Sequence, residues 1–221
     1  MRRLQRGQSM VEFMLTLPLI LILSLGVVQL IWIAWWQLNL GYAVAFSVRA
    51  GTLAGGSQQV LERTLVAAMA AAGFPAVSSR ETQPSEANLR AALISANLQQ
   101  WQQFKRFGRL QVISPTVAQQ QRYQQWLDTK QQAVLPIDHA KVRYQQAADP
   151  DAWLAARQLK VAVTWCLPLR VPLIGGWLVG FSRASGSART FCQLRAALSN
   201  APLWPLERTL TAPMQSDFVV R

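Results

Sequence analysis

The 221-residue sequence is poor in the residue types that carry out chemistry. It has one histidine, His139, and two cysteines, Cys166 and Cys192. Two cysteines without a histidine at ligand spacing do not form a zinc site. The glycines between Gly51 and Gly56 are not followed by Gly-Lys-Ser/Thr, which excludes a phosphate loop of the P-loop type. Because no catalytic motif stands near His139 either, we expect no enzyme activity, no metal site and no cofactor.

Acidic residues are also scarce. The chain has 10 Asp and Glu against 22 Lys and Arg, for a formal net charge of +12. Such a balance favours contact with anionic lipid, surface polysaccharide or nucleic acid. The basic residues are scattered and form no dense block, however, so they predict a solvated surface. Nucleic acid is therefore not an expected partner.

Charge is entirely missing from Phe13 to Trp36, where the polar residues are Thr16, Ser24 and Gln29. These residues would form a helix of about 36 Å, enough to cross a hydrocarbon core of about 30 Å with some tilt. The later apolar run 165–181 is interrupted by proline, arginine and a Gly-Gly pair, and does not qualify as a second span. The sequence predicts a single-pass membrane protein.

The charges on either side of this span predict its orientation. Arg2, Arg3 and Arg6 precede it, whereas Arg49 is the only basic residue within about fifteen positions after it. We therefore expect a cytoplasmic N-terminus in the bacterial inner membrane and a periplasmic remainder. The periplasm permits disulfides, so Cys166 and Cys192 are expected to form a structural bridge. The alternative is two buried free thiols.

The N-terminus combines a basic leader ending in Gly7 with one carboxylate, Glu12, five residues later. An acid at the entrance of a membrane helix is costly unless it finds a partner. The arrangement resembles the N-terminus of pilin-like precursors, which a prepilin peptidase cuts after the glycine. Cleavage would leave an amine on Gln8, with which Glu12 of the same or a neighbouring subunit could pair.

Two other interpretations of the N-terminus stay open. One is an uncleaved signal anchor with Glu12 in the headgroup zone. The other is a secretory signal peptide, since Ala43-Val44-Ala45 has the small-x-small form of a cleavage site. The length of the apolar segment and the three tryptophans that close it argue against the second.

The remaining pattern predicts an α+β protein. We expect three domains: a leader at 1–7, the transmembrane helix and its extension at 8–50, and a periplasmic domain at 51–221 in which amphipathic helices pack on a small antiparallel sheet. Helices are expected from 8 to about 50, after Ser57, after Ser85 and over 116–133, with a polar linker at 76–85. Strands are expected at 110–113, 141–144, 159–165 and, as an antiparallel return, 185–195. The proline-rich tail from Ala201 is expected to dock loosely or to be disordered.

The segment Arg6–Phe13, followed by Leu-Pro-Leu-Ile-Leu-Ile-Leu, resembles the TadE-like family of pseudopilins from tight-adherence (Flp-type) pilus systems. Ser47–Gly51 is similar to an Ala-Arg-Ala-Gly stretch that often follows the membrane helix in that family. The strand 159–165 and the Pro-Leu-Ile-Gly of Pro172–Gly175 resemble its C-terminal part.

The resemblance implies roles for four residues: Gly7 as the cleavage glycine, Gln8 as the mature N-terminus, Glu12 as the assembly glutamate and Phe13 as its aromatic neighbour. It implies a minor pseudopilin or pilus assembly protein that is processed by a prepilin peptidase and anchored in the inner membrane. Its partners would be other pilins, pseudopilins and assembly proteins, with entry into the fibre left open. The alternative function is an uncleaved, membrane-tethered binding module for DNA or a surface polymer.

Overall fold

The computed structural model describes residues 8–72, 86–128, 131–169, 179–180, 182, 184, 186–199 and 201–220. Its elements run in chain order as follows: α1 Gln8–Leu53, α2 Gln58–Ala72, α3 Glu86–Phe107, β1 Gly108–Ser114, α4 Val117–Tyr123, β2 Gln125–Leu127, β3 Gln132–Leu135, α5 Ala140–Gln146, α6 Pro150–Ala156, β4 Gln158–Pro168, α7 Gly186–Ser199, β5 Leu203–Pro213 and β6 Phe218–Val219.

A three-stranded antiparallel sheet with the order β1-β4-β5 forms the centre of the fold. Gly108 pairs with Trp165 at one end of β1, and β4 pairs with β5 along its whole length, from Gln158–Pro213 to Pro168–Leu203. A second antiparallel sheet with the order β2-β3-β6 lies beside it. The α+β fold predicted from the sequence is confirmed.

The first two helices form an antiparallel pair. α1 ends just before a turn in which Gly55 and Gly56 have φ values of 62° and 72°, and α2 then returns along it. The buried Ser47 hydroxyl donates a 2.7 Å hydrogen bond to the carbonyl oxygen of Leu61 and so ties the helices together. The helix expected to end at about residue 50 continues to Leu53 and so includes Gly51, where a Cβ would come within 2.9 Å of the Leu61 Cγ. Its missing side chain allows close packing.

The hydrophobic core lies between this helix pair and the first sheet. Fully buried side chains in one cluster come from the C-terminal part of α1, from one face of α2 and from alternate residues of β4. Its members include Leu40, Val44, Val48, Leu61, Leu65, Met69, Leu159, Val161, Val163 and Trp165. The second half of α3 joins this cluster through Phe104, whereas Leu89 and Leu93 in its first half are 40% and 46% exposed.

Two predicted strands are helices in the structure. Residues 141–144 lie in α5, and residues 185–195 fall largely in α7. In both segments the alternation covered only a few positions, and such short runs do not separate a strand from a helix. In α7 the buried residues are Ala188 and Cys192, one helical turn apart.

Two further predictions need correction. The helix expected over 116–133 ends at Tyr123 and is followed by β2 and β3. The tail expected to be loose forms β5 and β6, and Leu203, Leu206 and Phe218 of this tail are buried. Ser85 and the linker 76–85 lie outside the described residues.

Candidate functional site

The predicted processing and assembly residues lie at the free end of α1. Gly7 lies outside the described residues, and Gln8 is the first residue of the helix. Glu12 and Phe13 follow about one turn later, and Phe13 is 62% exposed. The Thr16 hydroxyl donates a 3.0 Å hydrogen bond to the Glu12 carbonyl oxygen. The structure therefore brings Gln8, Glu12 and Phe13 together at one helix end, away from the core.

The first part of α1 is exposed all round. From Glu12 to Val28 every residue is exposed except the partly exposed Gly26, and the large apolar side chains of this stretch are 41% to 72% exposed. An apolar surface on all sides, rather than on one stripe, is typical of a helix surrounded by lipid. The stretch from Glu12 to Leu53 is long and apolar enough to cross a membrane by length and composition.

Burial on α1 begins at Gln29. Gln29 and Ile33 are 3% and 6% exposed, and Leu40 is fully buried, so one stripe of the helix enters the domain before the apolar run ends at Trp36. From Gln8 to Val28 the helix is about 31 Å long at 1.5 Å per residue. The free part of α1 thus matches the thickness of a hydrocarbon core, about 30 Å.

The start of this stripe was not anticipated from the sequence. The signal for it is the recurrence of Gln29, Ile33, Trp36 and Leu40 at intervals of four and three residues within an otherwise uniform apolar run. The ring of Trp36 stacks on Trp165 of β4 with centroids 6.5 Å apart, and this contact fixes α1 to the sheet. Trp32 and Trp35 stay 37% and 54% exposed at the same level of the helix.

The two cysteines meet at the end of β4. Cys166 and Cys192 are bonded in the structure with Cα atoms 5.4 Å apart, and both are buried. With Leu203 they form a small cluster that Phe107 and Phe191 cover. The bridge connects α7 to the sheet. That the two thiols are oxidised to this bridge in the cell stays a prediction.

A cleft of about 190 Å³ lies between α4, α5, α6 and β3, with Arg143 and Arg157 in its wall. Arg157 donates a 2.6 Å hydrogen bond to the Ile137 carbonyl oxygen and lies 4.6 Å over the Trp153 ring. Burial lowers the pKa of Arg157 from its ordinary value, and the positive charge of Arg143 adds to this effect, whereas Asp138 opposes it. Because Arg143 is itself paired with Asp138 at 3.2 Å, both arginines are engaged in holding the loop at Ile137.

His139, the one histidine of the sequence, lies in the loop before α5, beside Asp138. His139 occupies the N-cap position of α5 with a φ of 50°, but its side chain makes no capping hydrogen bond. This side chain is 77% exposed, and its Nε2 lies 3.9 Å from the Asp138 carboxylate. No group of three or more His, Cys, Asp or Glu side chains that could hold a metal ion occurs in the described ranges.

Comparison with known proteins gives one clear relationship. A search of curated proteins and a search of solved structures each found no match to this chain. A protein-family model described as TadE-like protein matches residues 7–49. The matched range begins at Gly7, contains Gln8, Glu12 and Phe13, and extends through most of α1. Residues 7–49 are therefore TadE-like in sequence, which agrees with the family that the N-terminal motif resembles.

Proposed function

We propose that this chain is a minor pseudopilin-type assembly protein of a tight-adherence (Flp-type) pilus system. A prepilin peptidase removes residues 1–7, the free part of α1 holds the product in the inner membrane, and the domain lies in the periplasm. Its partners are other pilins, pseudopilins and assembly proteins, and Glu12 sets the register in which neighbouring membrane helices dock.

The proposal rests on the agreement between the family match and the exposed surface of α1. The TadE-like match begins at Gly7, the residue after which cleavage is predicted, and covers a helix whose first half is apolar and exposed on all sides. An exposed apolar surface of this size on a protein in water would be an aggregation liability, and in a bilayer it is the required surface.

The placement of the domain rests on two further observations. The three arginines before the apolar run favour a cytoplasmic N-terminus by the positive-inside rule. The Cys166–Cys192 bond in the structure suits an oxidising compartment such as the periplasm. Both support the same orientation independently of the family relationship.

Intact-mass measurement of the full-length chain tests the proposal. The protein is purified from membranes of cells that contain the pilus peptidase and of cells that lack it. We expect residues 1–7 to be absent only in the first case. Gly7→Glu should stay uncut because the scissile site admits a small side chain, whereas the matched variant Gly7→Ala should still be cut.

Other results would identify the alternatives. A retained Met1 in the wild-type protein with the peptidase present would overturn the pseudopilin proposal and support an uncleaved, tethered binding module. A mature chain starting at Phe46 would indicate a secretory signal peptide. Protease added to spheroplasts should degrade the domain; protection of the domain would overturn the periplasmic orientation.

A further inference from the structure

The direction of β4 shows which end of the sheet is nearest the exposed part of α1. A Cβ on Gly51 would lie 3.2 Å from a methyl group of Leu159, whereas Trp36 stacks on Trp165. β4 therefore runs antiparallel to α1, towards the apolar end. Pro168 lies three residues beyond Trp165, about 10 Å further along the strand. On α1 this distance corresponds to about seven residues, which is the level of Gln29.

α7 lies at this same end of the sheet. Cys192 of α7 is bonded to Cys166, and Leu203, which pairs with Pro168, belongs to the same buried cluster. Leu159 to Trp165 contribute alternate residues to the core beside α1, and side chains of a strand alternate between its faces, so Cys166 points to the other face. α7 thus covers the face opposite α1, next to the level at which α1 becomes fully exposed.

The exposed surface of α7 carries two large apolar side chains beside positive charge. Leu194 and Leu198, one turn apart, are 65% and 76% exposed. The guanidinium groups of Arg195 and Arg109 lie 5.5 Å and 5.9 Å from the ring of Phe191, on the same helix. The sequence contains no Asp or Glu between Asp151 and Glu207, so α7 and its flanking segments carry no acidic residue.

We propose that α7 is an interfacial helix that rests on the periplasmic leaflet of the membrane that α1 crosses. Leu194 and Leu198 enter the boundary between headgroups and acyl chains, and Arg109 and Arg195 face the phosphates of acidic phospholipids. The inference rests on the proposed membrane anchoring of α1 and adds a second contact with the same bilayer.

The geometry favours lipid as the occupant of this surface. The free part of α1 fills one hydrocarbon core and ends at Val28, so the leaflet surface lies close to the end of the sheet that carries α7. Trp32 and Trp35 are exposed at this level, where tryptophan prefers the membrane interface. Apolar side chains beside arginine are the composition that binds an acidic lipid surface.

Photocrosslinking of the full-length chain in vesicles containing phosphatidylglycerol tests the contact. A diazirine-bearing amino acid replaces Leu198, and mass spectrometry measures lipid adducts. Leu25, in the free part of α1, is the positive control. Val117, which is 69% exposed and follows the opposite end of β1, is the negative control. We expect adducts at Leu25 and Leu198 and only background at Val117.

The controls separate this inference from the proposed anchor. Adducts at Leu25 with only background at Leu198 would overturn the role of α7 and leave the anchor intact. Background at Leu25 would overturn both. Crosslinks from Leu198 to a second protein chain, in place of lipid, would show that the surface is a subunit interface and overturn the lipid contact.

The charge contribution is tested with the double variant Arg109→Gln, Arg195→Gln. In phosphatidylglycerol vesicles the yield of lipid adducts at Leu198 should fall several-fold, and in pure phosphatidylcholine vesicles the variant and the wild type should agree. An unchanged yield in the acidic vesicles would overturn the headgroup role of the two arginines.

Discussion

The ring of Phe218 occupies the space that a Cβ on Gly56 would need, in the turn between α1 and α2. The neighbouring Gly55 accepts a 3.1 Å hydrogen bond from the Val219 amide and donates a 2.9 Å bond to the Ser216 hydroxyl. Residues 216–219 therefore fix the turn that follows α1. This contact couples the geometry of α1 and α2 to a segment more than 150 residues away in sequence.

Gly56→Ala should destabilise the domain strongly. Gly56 has a φ of 72°, and an added Cβ would clash with the Phe218 ring. Backbone strain and overpacking together predict a loss of about 2 to 5 kcal/mol in the free energy of unfolding. The matched control is Gly41→Ala, because the nearest atom to its Cβ, the Arg208 Nε, lies 3.9 Å away. Thermal unfolding of the full chain in detergent, followed by tryptophan fluorescence, should separate the two variants; equal midpoints would contradict the contact.

Leu206→Ala tests whether the C-terminal tail is part of the core. Leu206 is 2% exposed on β5, opposite Trp165. Removing a buried leucine side chain costs about 2 to 5 kcal/mol. Thr209→Ala, at an exposed position of the same strand, should change stability by less than about 0.5 kcal/mol. Denaturant titration measures both; a tail that docks loosely would make the Leu206 variant as stable as the control.

The strand β5 shows why the prediction of a loose or disordered tail was wrong. Pro202, Pro205 and Pro213 argue against a strand because proline cannot donate to the hydrogen-bond ladder. β5 is an edge strand in the order β1-β4-β5, so one side of it needs no donors and proline is tolerated there. Its pairing with β4 is a long-range property that local pattern does not contain.

The features carried by local signals were predictable. The long apolar run of α1 and the β-branched alternation of Leu159–Trp165 correspond to α1 and β4. The residue at which α1 enters the domain could not be predicted from the sequence, because a helix in lipid and a helix in a protein core are both apolar. Only the burial of Gln29 and Ile33, which is a property of the folded chain, distinguishes the two environments.

The Cys166–Cys192 bridge should stabilise the domain measurably. The cysteines are 26 positions apart, and closing a loop of that length contributes roughly 3 kcal/mol by the loop-entropy model. Thiol labelling of the denatured protein, isolated from cells without reductant, should require prior reduction. The double variant Cys166→Ala, Cys192→Ala should melt at a lower temperature than the wild type under non-reducing conditions. The difference between the two melting temperatures should shrink when dithiothreitol reduces the bridge in the wild type. Labelling without reduction would show that the thiols are free.

Glu12→Ala should leave membrane insertion intact and impair assembly. The substitution makes the membrane segment more apolar, so the chain should still be recovered in the membrane fraction. It removes the carboxylate proposed to pair with the N-terminal amine of a neighbouring subunit. A pairing worth about 1.4 kcal/mol changes a docking equilibrium about tenfold, and the low dielectric of the membrane strengthens it further.

Glu12→Gln, which keeps the shape and loses the charge, should behave like the alanine variant, whereas Thr16→Ala, one turn along the same exposed helix surface, should assemble normally. Counting pili by electron microscopy, at matched protein levels, decides the matter: normal piliation in both Glu12 variants would remove this carboxylate from the assembly mechanism.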